Sequence, residues 1–482
     1  MPATAKISSR VGLLTERPTT DHGSFRDPDN RVVIAGDQVF RVFSRHGADD
    51  ISGLIGTEAF DNLVDQGMIV STEVLDPSGI PEVFSSLPDP ALVLQHERIP
   101  FISYPYEWSF EMLKDAATLT LDLVLRLLDH NYILKDATPF NVQFVGARPI
   151  FIDIGSFVPH EEGPPWVGYN QFCRMFLNPL LYQRHVGRDF QHLLRSSLDG
   201  IDPGELRAVL PLRSKLTKTV FTNVVLQDYL SRRFEASTSA ATAVSGHVVK
   251  RDAVRRMIRG LRASVAKQRS KTRRSAWTDY ETENTYDRQS EDAKREFVER
   301  VLKRDRPRVV WDLGSNTGAY SLIASRHAES VVAFDQDPKV VDEFYLRLKA
   351  EPDGPKNVLP LVMDLMNPSP AQGWAHVERK SLSDRQDADF FLALALVHHM
   401  VITGEVPIDS VLAWLGSVAP AGIIEFMPRE DTMVQRLLLR RSRTHGDYSA
   451  ERFASALEKY FTIDERAELP NGRILFSVVV KG

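Results

Sequence analysis

The stretch "VVWDLGSNTGAYSL", Val309 to Leu322, decides how the C-terminal half is read. Three apolar residues lead into Asp312. Gly314 and Gly318 then enclose Ser315-Asn316-Thr317, and an apolar, helix-compatible run follows. The pattern is strand, tight turn, helix. Glycine at such a turn carries no Cβ and tolerates positive φ, so a nucleotide-like ligand can come close to the backbone.

Outward from this turn the same alternation continues. Strand "SVVAFDQD" precedes helix "PKVVDEFYLRLKA", and strand "NVLPLVMDL" precedes "ADFFLALALV". A helical span around "DSVLAWLGSVA" leads to strand "GIIEFMP", and the chain closes with "FTIDERAEL" and "RILFSVVVK" across Pro470-Asn471-Gly472. Apolar strands alternating with amphipathic helices predict a mainly parallel α/β sheet covered on both faces, and Pro-Asn-Gly predicts a closing hairpin.

Ligands of open α/β sheets bind beyond the carboxyl ends of the strands. The ends here carry Asp312, Asp335 (23 residues on), Asp364, His398-His399 and Glu425. A dinucleotide turn would read G-x-G-x-x-G, whereas these glycines read G-x-x-x-G with an acid before them. That acid would repel a pyrophosphate. Three carboxylates suit a ligand with an ammonium group, a ribose diol and an adenine amine, and S-adenosylmethionine has all three.

On these residues the segment resembles the class I S-adenosylmethionine-dependent methyltransferases, with "DLGSNTG" similar to their first motif. The resemblance implies a Rossmann-like seven-stranded sheet over 276–482. It implies that Asp312 and the Gly314, Ser315, Asn316, Gly318 turn hold the methionine end, Asp335 the ribose hydroxyls and Asp364 the adenine amine. Asn316 stands where the usual D-x-G-x-G-x-G has its middle glycine, and Asn tolerates left-handed φ better than most residues. "WTDYETENTYDRQSEDAKREFV", "LALALVHHM" and "IIEFMPREDTMVQRLL" resemble methyltransferases related to the nodulation protein NoeA, a likeness that covers most of the chain.

Methyl transfer to a hydroxyl needs alignment and a base. His398 and His399 follow the fourth strand, and imidazole titrates near neutrality. Either is a candidate, with His398 ahead of His399 and Glu425 a further candidate; a hydrogen-bonded structural histidine is the competing reading. Tyr280 and Tyr286 either lid the cofactor or pack in the core.

A second pattern lies in "YILKDATPFNVQFVGARPIFIDIGSF", Tyr132 to Phe157. Asp136 and Asn141 are five apart, and Asp153-Ile154-Gly155 follows twelve later. This resembles the protein-kinase catalytic loop and D-F-G segment. The resemblance implies an α+β kinase-like domain over 25–234, with Asp136 orienting a hydroxyl and Asn141 and Asp153 holding magnesium, and hence possible use of ATP. The loop's His and Arg are Leu134 and Lys135, and Lys6 is the only lysine before Lys114. No strand lysine is therefore available for ATP phosphates. Arg41 is the candidate substitute, with Glu58 as its partner. A non-catalytic domain and a helical substrate domain are the alternatives.

The chain has 482 residues, a net charge of −5 and one cysteine, Cys173. This size predicts two or three domains. Internal disulfides and cysteine zinc sites are excluded, and a reducing compartment fits. The N-terminus lacks the apolar core of a signal peptide, and "FFLALALV" is far shorter than the ~18 residues of a span. A cytoplasmic protein is expected. Between the two halves, 235–275 reads as a linker plus a basic helix. Lys250 to Arg274 holds eleven Lys and Arg against Asp252. It is either a solvated face bridging domains or a dock for an anionic partner. The expected function is methyl transfer to a small-molecule, glycan or lipid-linked acceptor. The alternatives are a bifunctional kinase and methyltransferase, methylation of RNA or protein, and a binding protein on two scaffolds. No clear nucleic-acid motif is present.

Overall fold

The structure is a computed structural model that describes residues 7–8, 18–75, 90–163, 165–235, 249–271, 288–439 and 448–481. It divides into two units. One comprises Met1–Phe144, Arg148–Arg273 and Ala371–Arg379, the other Val145–Ala147, Arg274–Pro370 and Lys380–Gly482.

In the first unit a six-stranded sheet is built from β1 (Ile7–Ser8), β2 (Thr19–Thr20), β3 (Asn30–Ala35), β4 (Gln38–Ser44), β5 (Thr72–Leu75) and β6 (Pro90–His96), in the order β1-β5-β6-β4-β3-β2. Helix Phe110–Asp129 follows, capped by the Ser109 hydroxyl, which accepts from the Met112 N–H. Two strand pairs come next, β7 (Tyr132–Leu134) with β10 (Phe157–Pro159), and β8 (Val142–Val145) with β9 (Arg148–Phe151). The loop between β7 and β8 carries Asp136 and Asn141, and Asp153 lies just past β9.

The expected linker 235–275 is not one separate piece. Its helix, Arg251–Ala266, belongs to the first unit. Val254, Ile258, Leu261 and Val265 are buried at helical spacing, and the helix packs on Phe110–Asp129. Arg255 meets Asp129 at 2.5 Å, and Arg262 pairs with Asp122. Two of the helix's five arginines are thus paired with acids of a neighbouring helix. Arg256, Arg259 and Lys267 stay exposed.

The second unit is the expected seven-stranded sheet. Its strands are β11 (Val309–Leu313), β12 (Ser330–Asp335), β13 (Val358–Val362), β14 (Phe390–Ala393), β15 (Ala421–Phe426), β16 (Phe461–Glu468) and β17 (Ile474–Val480). Their order is β13-β12-β11-β14-β15-β17-β16; β17 alone pairs antiparallel to β15 and closes a hairpin with β16. The turn is the Pro-Asn-Gly read in the sequence, with Gly472 at φ +80°. β11 is buried throughout, as a strand covered on both faces requires. Helix Arg288–Asp305 buries Phe297, Val298, Val301 and Leu302. The fourth strand is shorter than its apolar run: it stops at Ala393, and Ala395 adopts φ +51°. No described helix is long and apolar enough to cross a membrane.

Candidate functional site

The strand order reverses at β11, which has β12 on one side and β14 on the other. A crevice opens at such a switch point, beyond the carboxyl ends of the strands. The turn after β11 and the loop after β14 face each other there: a Cβ placed on Gly314 would lie 3.5 Å from Leu396 Cδ1.

The turn is held by backbone. The Gly314 and Ser315 N–H groups both donate to the Phe334 carbonyl, at 2.9 and 2.8 Å. Gly314, Asn316 and Gly318 all take positive φ, at +84°, +48° and +81°. Asn316 thus occupies the left-handed region its position demanded. Gly318 has a second reason to be glycine, because a Cβ there would lie 2.0 Å from Phe344 Cζ.

Asp312 is buried, and its Oδ2 accepts from the Ser321 hydroxyl at 2.5 Å. Burial holds its carboxyl up at about 6, against relief from Ser321 and Lys294. Asp335 Oδ2 accepts from the Asn316 N–H and Oδ1 from the Asp337 N–H, each at 2.9 Å. Burial raises this carboxyl to about 6 as well. Even with a further backbone N–H from Gln336, not all of the carboxylate's lone-pair sites are taken, which leaves capacity for a diol. Asp364 is exposed, two residues past the end of β13, and accepts from the Met366 N–H at 2.9 Å. The neighbouring Met363 N–H donates to the Asp335 carbonyl at 2.7 Å. Ser315 Oγ and Asn316 Oδ1 are buried without a hydrogen-bond partner. A buried polar atom without a partner is costly, so a turn with two of them is built to receive a polar ligand. These acceptor oxygens fit an ammonium group and a ribose diol as donors.

His398 begins the helical turn after β14, five residues beyond the strand. It is 1% exposed, and neither ring nitrogen has a hydrogen-bond partner. Its ring lies 4.1 Å from that of His399. Burial pushes the His398 imidazole well below its usual range, and His399, Arg473 and Lys294 push further. Burial takes His399 to about 4. Both are neutral at physiological pH.

Glu425, near the end of β15, is fully buried but not alone. Lys294 Nζ lies 2.6 Å from its Oε2 and Arg473 Nη1 3.5 Å from its Oε1; Arg473 Nε bonds Asp431 at 2.8 Å. A carboxylate held by two cations is a poor proton acceptor. Lys294 also stands 4.6 Å over the Tyr320 ring. The sequence reading passed over Lys294, although its signal was present: it lies three and four residues before Phe297 and Val298, on the face that is buried. Tyr280 and Tyr286 lie outside the described residues.

In the first unit the loop residues do converge. Asn141 Nδ2 donates to Asp153 Oδ2 at 3.1 Å. Asp153 Oδ1 sits 2.8 Å from Arg41, which also donates to Asn30 Oδ1 at 2.5 Å. Arg41 is thus tied to Asp153 and Asn30, whereas Glu58 is exposed at the start of another helix. Lys135 pairs with Asp27 at 3.0 Å. Burial, and then Asp153, raise the Asp136 carboxyl above its usual range. Asn141 thus holds one Asp153 oxygen, and the Arg41 guanidinium beside the other already supplies positive charge to that carboxylate. Among the described residues, no group of three or more His, Cys, Asp or Glu is placed to hold a metal.

No family model matches the chain. It is 36% identical over 474 residues to the nodulation protein NoeA of Rhizobium meliloti (strain 1021), covering 96% of this chain and 97% of that one. Among solved structures it is similar to the N-methyltransferase NodS from Bradyrhizobium japonicum WM9, at 12% identity and TM-score 0.30, over 41% of this chain and 99% of that one. It is also similar to the magnesium protoporphyrin IX methyltransferase ChlM from Synechocystis PCC 6803, at 15% identity and TM-score 0.29, over 40% and 80%. At these scores neither structure bears on the chemistry of this chain.

Proposed function

The chain belongs to the family of the nodulation protein NoeA, and from that premise we propose that it is an S-adenosylmethionine-dependent methyltransferase. The observation that carries the reading is Asp312, buried at the switch point beside a turn with two unpartnered polar atoms. The charges around it explain its demand. Lys294 and Arg473 are matched by Glu425 and Asp431. Asp312 is then left with the neutral hydroxyl and backbone N–H of Ser321 as its donors. An ammonium group would complete it. Asp335 would take the ribose hydroxyls and Asp364 the adenine amine.

When bound, the cofactor supplies an electrophilic methyl group. The protein's part is to align the acceptor and take its proton. His398 is neutral and neither ring nitrogen has a hydrogen-bond partner, so a nitrogen is open to a hydroxyl or amine of the acceptor, acting as a weak base because burial disfavours its charged form. Glu425 serves in this reading as the counter-charge of Lys294 and Arg473. The acceptor is a small molecule, a glycan or a lipid-linked glycan.

We read the first unit as kinase-like, a reading supported by the meeting of Asn141 with Asp153. The Arg41–Asp153 pair favours a body that docks or positions a ligand without Mg-ATP. Phosphorylation of an acceptor, lost in Asp153→Ala, would instead establish a bifunctional enzyme.

The test is methyl transfer itself. Wild type and Asp312→Ala are incubated with tritiated-methyl S-adenosylmethionine and host lysate, and small-molecule, lipid, glycan, RNA and protein fractions are counted. Label in one fraction with wild type only supports the reading and identifies the acceptor class. Absence of cofactor binding by calorimetry would overturn it.

A further inference from the structure

In the first unit, one surface is turned inside out. Three helical segments, Lys218–Val220, the π-turn Phe221–Val225 and Leu226–Glu235, follow one another without a break. In the last of them the polar Gln227 and Asp228 are buried, at 8% and 6% exposure. The apolar Leu226, Tyr229 and Leu230 face out, at 39%, 57% and 39%. Helices of soluble domains ordinarily do the reverse. Asp228 turns inward because Arg207 and Arg232 hold it, each at 2.8 Å.

The outward stripe runs the length of the three segments at helical spacing: Phe221, Leu226, Tyr229 and Leu230, with Lys218 at one end and Arg233 at the other, both exposed. Just before it, the short helix Leu212–Lys215 and its flank carry Leu212 and Leu216, at 79% and 83% exposure the barest leucines among the described residues of this unit. Arg213, Lys215 and Lys218 are interleaved with them. From Val209 to Leu230 the only acid is Asp228, which is buried. The basic helix adds to the same neighbourhood. Thr219 Oγ1 lies 3.4 Å from Ser264 Oγ, and exposed Lys267 caps the C-terminus of that helix three residues on.

Exposed apolar patches of this kind mark interaction surfaces. Leucines and aromatics interleaved with Lys and Arg, with no acid among them, complement a surface that is anionic outside and apolar just beneath. A bilayer with anionic headgroups has that layering, and interfacial elements use this composition. We propose that the Val209–Arg233 surface docks the protein onto an anionic membrane, lying in the headgroup region. This rests on the first unit alone and is independent of the methyl-transfer reading.

The experiment is co-sedimentation of the full chain with phosphatidylcholine vesicles, with and without phosphatidylglycerol. Wild type is expected to sediment with the anionic vesicles and to be released by salt. Leu212→Glu/Leu216→Glu should weaken binding at least tenfold. Lys218→Glu should weaken it severalfold, as expected for one cation near an anionic leaflet. All three side chains are exposed, and an unchanged circular dichroism spectrum and melting temperature would show the variants folded. Three results would each overturn the proposal: no sedimentation of wild type at low salt, equal binding by the double variant, or equal binding to neutral vesicles. So would a dimer in sedimentation velocity that the double variant dissociates while vesicles bind neither form, because the face would then be a self-interface.

Discussion

Lys294 Nζ and Glu425 Oε2 lie 2.6 Å apart with both side chains buried, joining helix Arg288–Asp305 to β15 beneath the candidate site. Burial pulls the Lys294 ammonium below its usual range, and Glu425 opposes that pull. Breaking one side of such a pair leaves a buried charge, which costs ~3–5 kcal/mol. Lys294→Met is therefore expected to destabilise the protein strongly, measured by urea unfolding. Lys294→Met/Glu425→Gln should recover part of the loss. If the double variant is no more stable than the single one, the charge pair is not the cause.

Binding of S-adenosylmethionine should weaken as pH falls through about 6. Asp312 and Asp335 have carboxyls raised to about 6 by burial. A bound ammonium group favours the charged form of Asp312, so binding is linked to loss of its proton. The sign is fixed: affinity is full above 6 and declines below it. Calorimetry at pH 5 and pH 7.5 in buffers of different ionisation heat should show proton release on binding at the lower pH only. Asp312→Asn should bind weakly at both.

Gly318→Ala probes the turn. The left-handed φ alone costs an L-residue of order 1–3 kcal/mol, and the new Cβ would overlap the Phe344 ring at 2.0 Å. The expected result is a lower melting temperature and loss of cofactor binding. Gly314→Ala has the same φ problem but open space, with Leu396 at 3.5 Å. It should be the milder of the two, and the reverse order would show that packing on Phe344 is not what fixes the turn.

Much of the second unit was legible because its signals are local. The runs around Val309, Ser330, Val358 and Ala421 are apolar enough to be strands covered on both faces, and Pro470-Asn471-Gly472 announces its own hairpin. The glycines at 314 and 318 and Asn316 could be read because positive φ restricts the residue types allowed. Helical spacing puts Lys294 on the buried face with Phe297 and Val298, but its partner Glu425 lies 131 residues away, and pairing at that distance leaves no periodic trace. Glu425 looked available for the same reason: its partners Lys294 and Arg473 come from a preceding helix and the hairpin turn just before the last strand. The basic helix was ambiguous because its compensating acids, Asp122 and Asp129, lie on another helix. Arg41 was found from its place on a strand, but its partner Asp153 depended on how β4 and the end of β9 come together, which composition does not encode.

His398→Ala separates chemistry from binding. His398 is 1% exposed with both ring nitrogens unpartnered, and it lies five residues beyond β14, apart from the Asp312–Asp335 hydrogen bonds. General bases contribute typically ~10²–10⁴-fold. Turnover should therefore fall by at least ~10², while the cofactor's dissociation constant stays within a few fold. The pH profile supplies a second check. Because burial pushes the His398 imidazole well below its usual range, it remains neutral, and able to accept a proton, at pH values where an exposed histidine is charged. With saturating cofactor, wild-type turnover should show no acid limb near 6.5. A limb at that position would mean that the proton acceptor is an ordinary solvated group, and equal turnover in His398→Ala would remove His398 from the chemistry.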